Sequence, residues 1–373
     1  MSKRACWATT LVFLLFIALF FSLNLILPDK SFSEQENRRL QTLPEFSFRE
    51  LFSGDFTADF EKYCCDQFAL RDRWIELKAR LELAQGKARN NNVYLCDGQR
   101  LLEPFTMPDT SQLDSRVRAV NGLVENVSVP VTLALIPGAS QLYAELFPQG
   151  VDNDSQKEFI DYLYGNTTAN TADLYAVLEE HKDEPVFYRT DHHWTSLGAY
   201  WGYTALAEAL GMSPRALEDY NRQTVSQEFQ GTTYSASGFF WIEPDSMEIF
   251  VDVPEGLTVE RYESTQPIEG VLYDESKLSI KDKYSFFLGG NAPRVILDTG
   301  REDGQNLLII RDSYTDCLAP FLLEHFSQIH LLDLRYYRAS VAEYVRENEI
   351  DQVLVLYGVN TFSTDTDYVL MAW

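Results

Sequence analysis

The sequence predicts an α/β fold built on a doubly wound, mostly parallel sheet. Three apolar strands alternate with two helical stretches near the C-terminus, at 307–310, 316–326, 329–332, 339–348 and 353–356. This alternation of strand and helix is typical of a parallel sheet with helices on both faces. Upstream, the segment 129–137 is apolar at almost every position, as a strand covered on both faces must be. These observations together define the expected fold class.

Composition fits a folded protein and argues against a nucleic-acid partner. The chain has 373 residues, of which 45% are hydrophobic and 13% aromatic, enough for one large or two modest domains. Its 31 basic and 56 acidic residues give a net charge of −25. Such a surface repels nucleic acid. Any anionic substrate would have to meet a local basic patch.

Residues 1–28 are predicted to form a signal anchor. Lys3 and Arg4 precede the segment 6–27, which carries no charged residue and has about the length that crosses a bilayer as a helix. Basic residues before the span place the N-terminus in the cytoplasm and the rest of the chain outside. A cleaved signal peptide is the alternative. Its apolar region is usually shorter, however, and we find no small-x-small cleavage site before Pro28.

Residues 29–104 are predicted to connect this anchor to the main domain. The segment 47–86 has apolar residues at helical spacing and indicates two amphipathic helices, and 91–102 resembles a hairpin that turns at Asp97 and Gly98. The cysteines lack metal-binding spacing. An extracytoplasmic location permits a disulfide from Cys64 or Cys65 to Cys96, but free thiols fit equally well.

Residues 105–373 should form the main domain. Helices are expected at 111–127, within 155–180 and at 197–210, where Thr195 or Ser196 caps the last of them and Gly211 ends it. A short strand is expected at 185–188. The segment 221–292 is rich in Thr, Tyr, Phe, Ser and Gly, which indicates a β-rich insertion or lid.

Three residues suggest nucleophilic catalysis. Asp191 and His193 are two positions apart, so in an extended loop their side chains project to the same side and can form a hydrogen bond. Ser313 follows an apolar strand and precedes a helix. An imidazole oriented by a carboxylate is the usual base that activates a serine hydroxyl. The sequence therefore predicts a Ser–His–Asp site.

Simpler interpretations remain open at each position. Ser313 can be an ordinary helix cap, and Asp312 can be the functional residue instead. His192 and His193 beside Asp191 can bind a metal, although a closed site needs three or four converging ligands. Trp194 is most simply a core residue, or it can stack on a sugar ring.

The motifs resemble those of the bacterial DHHW protein family. The resemblance rests on Asp191-His-His-Trp194, on the segments 33–38 and 91–94, and on Asp312-Ser-Tyr314. This family is similar to the periplasmic alginate O-acetylation proteins, which carry an SGNH-hydrolase-like domain with permuted sequence blocks. The order of Asp191 and His193 before Ser313 matches that permuted arrangement.

The resemblance implies a role for each residue. Ser313 would be the nucleophile, His193 the base and Asp191 the residue that orients the base. Gly358 and Asn360 resemble the G-x-N block that supplies an oxyanion-hole amide. The second block's glycine has no clear counterpart, so Arg335 is the candidate there, with Asn291 as a further one. Tyr314, next to the serine, is a candidate for contact with the substrate.

The sequence therefore leaves two functions open. The first is serine-dependent transfer of acyl groups to, or their removal from, a cell-envelope or exported polysaccharide. Its implied partners are the polysaccharide, an acetyl donor and a membrane acetyl-shuttling protein, with no metal and no cofactor. The second is a non-catalytic protein that binds glycan or assists envelope assembly. Basic residues near the serine segment are candidates for a polyanion-binding patch: Arg294, Arg301, Arg311, Arg335 and Arg338.

Overall fold

A computed structural model describes residues 2–373. The helices are α1 (Lys3–Ile26), α2 (Phe48–Ser53), α3 (Asp55–Asp66), α4 (Arg71–Ala84), α5 (Thr110–Asn126), α6 (Ala139–Leu142), α7 (Gln156–Asn166), α8 (Leu174–Glu180), α9 (Ser196–Ala209), α10 (Thr232–Ser237), α11 (Thr315–Leu322), α12 (Val341–Glu347) and α13 (Val359–Thr364). The strands are β1 (Phe32–Ser33), β2 (Arg38–Arg39), β3 (Arg89–Asn90), β4 (Val93–Cys96), β5 (Arg100–Leu102), β6 (Val131–Ile136), β7 (Asn170–Ala172), β8 (Gln223–Phe229), β9 (Asp245–Ile249), β10 (Thr258–Tyr262), β11 (Ile268–Glu269), β12 (Arg294–Asp298), β13 (Gln305–Arg311), β14 (Phe326–Leu332) and β15 (Gln352–Gly358). Short 3-10 helices lie at Asp97–Gln99, Ala144–Leu146, Leu217–Asp219, Glu275–Ser279, Lys283–Phe286 and Asp367–Ala372.

The chain forms two compact units. The first contains the residues up to Asn91 together with Ser235–Trp241, and the second contains Asn92–Tyr234 with Ile242–Trp373. The domain boundaries expected after residues 28 and 104 stay predictions. All five cysteine thiols are free.

The first unit carries the apolar N-terminal helix. Helix α1 has 24 residues and is long and apolar enough to cross a membrane, either as a single-pass anchor or as a signal sequence. After it, the structure has three helices (α2, α3 and α4) where the sequence indicated two. Gly54, with φ of 92°, separates α2 from α3 because its left-handed conformation interrupts the helix.

The second unit contains the large sheet, and it confirms the predicted fold class. Its strands lie in the order β11-β10-β12-β14-β13-β15-β6-β7. The strands from β14 to β7 pair in parallel, and β12, β10 and β11 add antiparallel pairs at one edge. The predicted strands at 307–310, 329–332 and 353–356 are β13, β14 and β15.

Hydrophobic cores cover both faces of this sheet. Leu307 and Ile309 of β13 enter one core, which α9 and α11 complete. Leu308 and Ile310 enter the other core, which α5 and α12 complete. Side chains alternate between the faces of a strand, so a central strand with helices on both sides must be apolar at every position. The sheet is therefore doubly wound, as predicted.

The segment 221–292 contains four strands: β8 and β9 pair with each other, and β10 and β11 lie at the edge of the large sheet. Its expected role as a β-rich insertion or lid stays a prediction. One local expectation differs from the structure. The strand expected at 185–188 is reduced to one bridge between Phe187 and Trp194. That segment turns back on itself within a few residues, which leaves no room for a longer ladder.

The parallel strands bring three chain segments to one edge of the sheet. Arg311 in β13 pairs with Leu356 in β15, and Gly358 pairs with Ile136 in β6. The residues that follow these strands therefore meet at their carboxyl ends. Ligand sites of open α/β sheets lie at this edge.

Candidate active site

Asp191 and His193 lie on a tight hairpin that precedes α9. The Thr195 backbone N–H donates to the Val186 carbonyl at 2.9 Å, and the Tyr188 N–H donates to the His193 carbonyl at 3.3 Å. Between these bonds the chain reverses, and alternate side chains project to one side. This reversal brings the carboxylate of Asp191 and the ring of His193 together.

Four hydrogen bonds hold the carboxylate of Asp191. Its Oδ1 atom lies 2.5 Å from His193 Nδ1 and accepts the His193 backbone N–H at 3.0 Å. Its Oδ2 atom accepts from the backbone N–H and the hydroxyl of Thr232, at 2.7 and 2.9 Å. Burial opposes ionisation, but His193, His192 and these hydrogen bonds outweigh it and hold the pKa of Asp191 well below its usual value. The carboxylate is therefore ionised at neutral pH.

Ser313 completes a continuous hydrogen-bonded line. It follows β13 and precedes α11, and its Oγ atom lies 2.7 Å from His193 Nε2. Asp191 and His193 are buried, whereas Ser313 is half-buried. The arrangement places a reachable hydroxyl beside an imidazole whose other nitrogen faces a carboxylate. This geometry can transfer the hydroxyl proton to the ring.

Tyr284 holds the ring of His193 from one side. The two rings stack with centroids 3.8 Å apart and planes within 6°. The Tyr284 hydroxyl lies 3.3 Å from the Ser313 carbonyl and 3.2 Å from Cys317 Sγ. Burial, with the nearby Cys317, raises the pKa of Tyr284 well above its usual value, so the phenol stays neutral. No local pattern marks this residue, which lies in the segment expected to be a β-rich insertion.

Trp194 and Tyr314 tie the histidine hairpin to the serine segment. Trp194 is fully buried, and its Nε1–H donates to the Tyr314 carbonyl at 2.9 Å. The Tyr314 hydroxyl donates to the His192 carbonyl. The structure thus places Trp194 in the core rather than at a sugar-binding rim. Tyr314, expected to contact substrate, is buried with its hydroxyl already engaged.

Gly231 and Thr232 are site residues that sequence reasoning missed. Thr232 donates twice to Asp191, as described above. A Cβ atom built on Gly231 would lie 2.0 Å from Asp191 Oδ2. Only glycine allows the backbone this close to the carboxylate. These two residues form no recognisable motif, because their role depends on contact with Asp191 from a distant segment.

The backbone amide of Gly358 is not available for an oxyanion hole. It donates to Asp312 Oδ2 at 2.9 Å, while Asp312 Oδ1 accepts the Tyr314 N–H at 3.1 Å. Burial raises the pKa of Asp312, and these two hydrogen bonds oppose the rise. The role expected for Gly358 is therefore corrected. Its N–H is bound by Asp312, and this hydrogen bond connects β15 to the segment that carries Ser313.

Asn360 is oriented by a buried glutamine. Gln156 Oε1 accepts the backbone N–H of Gly138 at 2.7 Å, so its Nε2 must face the other way as the donor. That Nε2 donates to Asn360 Oδ1 at 3.1 Å and to Ser140 Oγ at 3.1 Å. Because the side-chain oxygen of Asn360 accepts this hydrogen bond, its NH₂ group points away from Gln156 Nε2. Asn360 follows β15, next to the strand that leads to Ser313.

Every arginine of the candidate basic patch has a partner inside the protein. Arg335 donates through Nε and Nη2 to Asp333, at 2.9 and 2.7 Å, so the guanidinium expected at the oxyanion is held by a carboxylate. Each of the other candidates also has a partner inside the protein: Arg311 with Asp316, Arg338 with Asp367, Arg294 over the ring of Tyr262, and Arg301 with the Glu324 carbonyl. Asn291 accepts a hydrogen bond from Arg261 through its backbone carbonyl.

A metal site fits these residues poorly. Asp191, His192 and His193 each offer a ligand atom, and these atoms lie within 4.8 Å of one another. Both nitrogens of His193 and both oxygens of Asp191 are already engaged, however. Partial burial and the neighbouring His193 lower the pKa of His192 to about 4, and its Nδ1 lies 2.6 Å from Thr232 Oγ1. A metal would have to displace the contacts that join the three residues to Ser313 and Thr232.

The sequence is similar to those of known proteins. A profile of the DHHW protein family matches residues 111–332, more than half of the chain. The probable alginate O-acetylase AlgJ of Pseudomonas syringae pv. tomato is 25% identical over 236 residues, which are 59% of this chain and 58% of that protein. The chain therefore spans less than two thirds of that relative's length.

Two solved structures share the fold. A DHHW family protein from Eubacterium siraeum superposes with a TM-score of 0.65 and 24% identity, over 76% of this chain and 95% of that one. Bacillus cereus PatB1, solved with a sulfonyl adduct, superposes with a TM-score of 0.64 and 19% identity, over 74% of this chain and 99% of that one. At these identities the likeness concerns the fold.

Proposed function

The chain belongs to the DHHW protein family, and from that premise we propose that it is an extracytoplasmic, serine-dependent enzyme that transfers acetyl groups to, or removes them from, a cell-envelope or exported polysaccharide. The observation that carries the proposal is the hydrogen-bonded line from Asp191 through His193 to Ser313. The likeness to a probable alginate O-acetylase supports acetyl transfer and a polysaccharide as the reaction and substrate classes.

The first half-reaction forms an acetyl-serine. Ser313 Oγ attacks the carbonyl carbon of the acetyl donor while its proton passes to His193 Nε2, and Asp191 stabilises the imidazolium that results. The tetrahedral intermediate then collapses. The bond to the donor's leaving group breaks, and His193 returns the proton to that group.

The second half-reaction releases the acetyl group. A sugar hydroxyl attacks the acetyl-serine carbonyl in transfer, and water attacks it in hydrolysis. His193 takes the proton of the attacking group and gives it to Ser313 Oγ when the ester bond breaks. Both outcomes use the same residues, so the acceptor that reaches Ser313 decides between them.

Asn360 is the proposed donor to the oxyanion. The geometry that supports this role is the hydrogen bond from Gln156, which occupies the Asn360 oxygen and leaves the NH₂ group to donate. Preorganised donors of this kind stabilise the negative charge that develops on the carbonyl oxygen. Gly358 and Arg335 have no part in the proposal, because carboxylates already bind them.

The proposed location follows from α1. Lys3 and Arg4 are the first residues of α1 and precede its uncharged segment 6–27, and positive flanks stay on the cytoplasmic side. Retained as an anchor, α1 would keep both units at the outer surface, where an exported polysaccharide, an acetyl donor and an acetyl-shuttling membrane protein meet.

The test is an ester assay on the full chain in detergent micelles. A chromogenic acetyl ester should give a rapid release of one chromophore per chain, followed by slow turnover that a polysaccharide acceptor accelerates if transfer is the reaction. Ser313→Ala should release none. Full activity in Ser313→Ala would exclude Ser313 as the nucleophile. No release from the unaltered chain would favour the non-catalytic glycan-binding alternative.

A further inference from the structure

Helix α4 in the first unit presents an unusual apolar face. Three of its residues, at spacings of three and four positions, lie along one side of a helix with about 3.6 residues per turn, and the N-cap residue before the helix adds a fourth. We call them the α4 stripe: Leu70, Trp74, Leu77 and Leu81. Their exposed fractions are 58%, 36%, 44% and 52%. Each is large and apolar, and together they are too extended to be scattered surface residues.

The opposite face of α4 is already used. Ala79 is fully buried, and Ile75 lies close to Gly238. Arg80 places its guanidinium 4.1 Å from the centre of the Trp241 ring. Since these contacts fix the helix within its unit, the α4 stripe is the side that faces outward.

One end of the α4 stripe packs on the apolar helix α1. The ring of Phe20 lies 5.4 Å from that of Trp74 and stacks on Phe68 at 5.5 Å. Phe16, a turn earlier, lies 6.1 Å from Trp74. The Ala69 N–H donates to the Asn24 side chain at 2.7 Å. The stripe is therefore continuous with the surface of a helix that has no buried residue.

The contact lies at the depth of a membrane interface. Phe20 is seven residues before Leu27, the C-cap of α1, which is about 10 Å along the helix axis. Interfacial helices sink their apolar face to about 5–10 Å, at the boundary between headgroups and acyl chains. If α1 spans the bilayer, Trp74, which contacts Phe20 and also Phe16 one turn deeper, lies on the acyl-chain side of that boundary.

The charges beside the α4 stripe fit a phospholipid surface. Arg73 and Lys78 lie next to it on the helix, and their side chains are 80% and 59% exposed. Glu76, which pairs with Arg73, is only 17% exposed. Basic side chains at the edges of an apolar stripe extend their charged ends to lipid phosphates while their stems cover apolar surface.

We propose that the α4 stripe lies in the membrane interface beside the C-terminal end of α1, with Leu77 and Leu81 among the acyl chains and the flanking basic residues at the phosphates. The occupant of this surface is the lipid bilayer. The inference rests on the proposed retention of α1 as an anchor. It gives the first unit a second attachment, one that would fix how this unit lies on the membrane.

Spin-label accessibility on the full chain in lipid nanodiscs tests the proposal. The exposed cysteines Cys6, Cys64 and Cys65 are first replaced by serine. Single labels are then placed through Leu77→Cys and Leu81→Cys, with Asp72→Cys on the other side of the same helix as the matched control. Leu14→Cys reports on α1. Collisions with oxygen, which concentrates in lipid, are compared with collisions with a water-soluble nickel chelate.

The proposal expects the Leu77 and Leu81 labels to favour oxygen severalfold, as the Leu14 label does, and the Asp72 label to favour nickel. Nickel access at Leu77 and Leu81 would overturn it. Protection from both reagents would also overturn it, since a second copy or another protein would then cover the stripe. Nickel access at Leu14 would instead show that α1 does not lie in the bilayer, so that the proposed anchor itself would be wrong. Ester turnover in the same discs reports the enzymatic proposal separately.

Discussion

The Nε2 atom of His193 lies 2.7 Å from the Oγ atom of Ser313, although the two residues are 120 positions apart in the chain. The parallel strands deliver Ser313 to the edge of the sheet, and the buried Trp194 fastens the histidine hairpin to the segment after the serine. The contact is thus a product of the whole second unit. The proposed chemistry depends on three side chains: Ser313, His193 and Asp191.

The two adjacent histidines should differ sharply in importance. His193→Ala should lower kcat at least about 10³-fold, because it removes the base from the line. His192→Gln should leave most of the activity, since His192 reaches Thr232 rather than Ser313. Ester hydrolysis by the two variants checks this. A larger loss in His192→Gln, or bound metal in the purified chain, would favour a metal-dependent mechanism.

Gly231→Ala should damage the site through Asp191. The new methyl group would fall 2.0 Å from Asp191 Oδ2, so the carboxylate must move away from His193. Overpacking of this kind costs about 1–3 kcal/mol, and activity should fall with it. The matched control is Gly165→Ala in α7, where a Cβ meets nothing within 4 Å. Unchanged activity in Gly231→Ala would mean that the position of Asp191 is not critical.

Gln156 should act on catalysis only through Asn360. Asn360→Ala should lower kcat about 10²-fold with little change in KM, because an oxyanion donor acts in the transition state. Gln156→Met should also lower kcat, by leaving Asn360 free to rotate. The double variant should be no slower than Asn360→Ala. Additive losses would show that Gln156 contributes by another route, and thermal melting of each variant controls for simple destabilisation.

Asp316 should make stability depend on pH. Burial raises the pKa of its carboxyl from 3.8 to about 7, while Arg311 opposes the rise. Between pH 4 and 7 the folded chain keeps a proton that the unfolded chain has lost, so this group's contribution to stability decreases as pH rises. Asp316→Asn cannot ionise. Its free energy of unfolding relative to the unaltered chain should therefore increase from pH 4 to pH 7. A constant difference across urea titrations at several pH values would contradict this.

Much of the fold and the catalytic line can be predicted from the sequence because both depend on local patterns. The apolar runs that become β13, β14 and β15 are buried on both faces, which leaves a clear signal in composition. Asp191 and His193 are two positions apart in an extended segment, so their contact is nearly local. Ser313 was identifiable from its place between strand and helix.

The rest of the site comes from tertiary contacts that no local pattern records. Thr232 reaches Asp191 across 41 positions, Tyr284 stacks on His193 from a segment between sheet strands, and Gln156 meets Asn360 across 204 positions. For Gly358 and Arg335, the sequence suggested a role that the structure does not support. Their motifs suggested donors for the oxyanion, but buried carboxylates compete for those donors, and such competition is visible only in three dimensions.

The most direct test of the account is to find where an acetyl group attaches to the protein. The full chain is treated with an activated acetyl ester, quenched in acid, digested and sequenced by mass spectrometry. We expect one acetyl group on Ser313, absent from Ser313→Ala and strongly reduced in His193→Ala. Equal labelling of Ser313→Ala, or acetylation only at other residues, would contradict the proposal that Ser313 is the nucleophile.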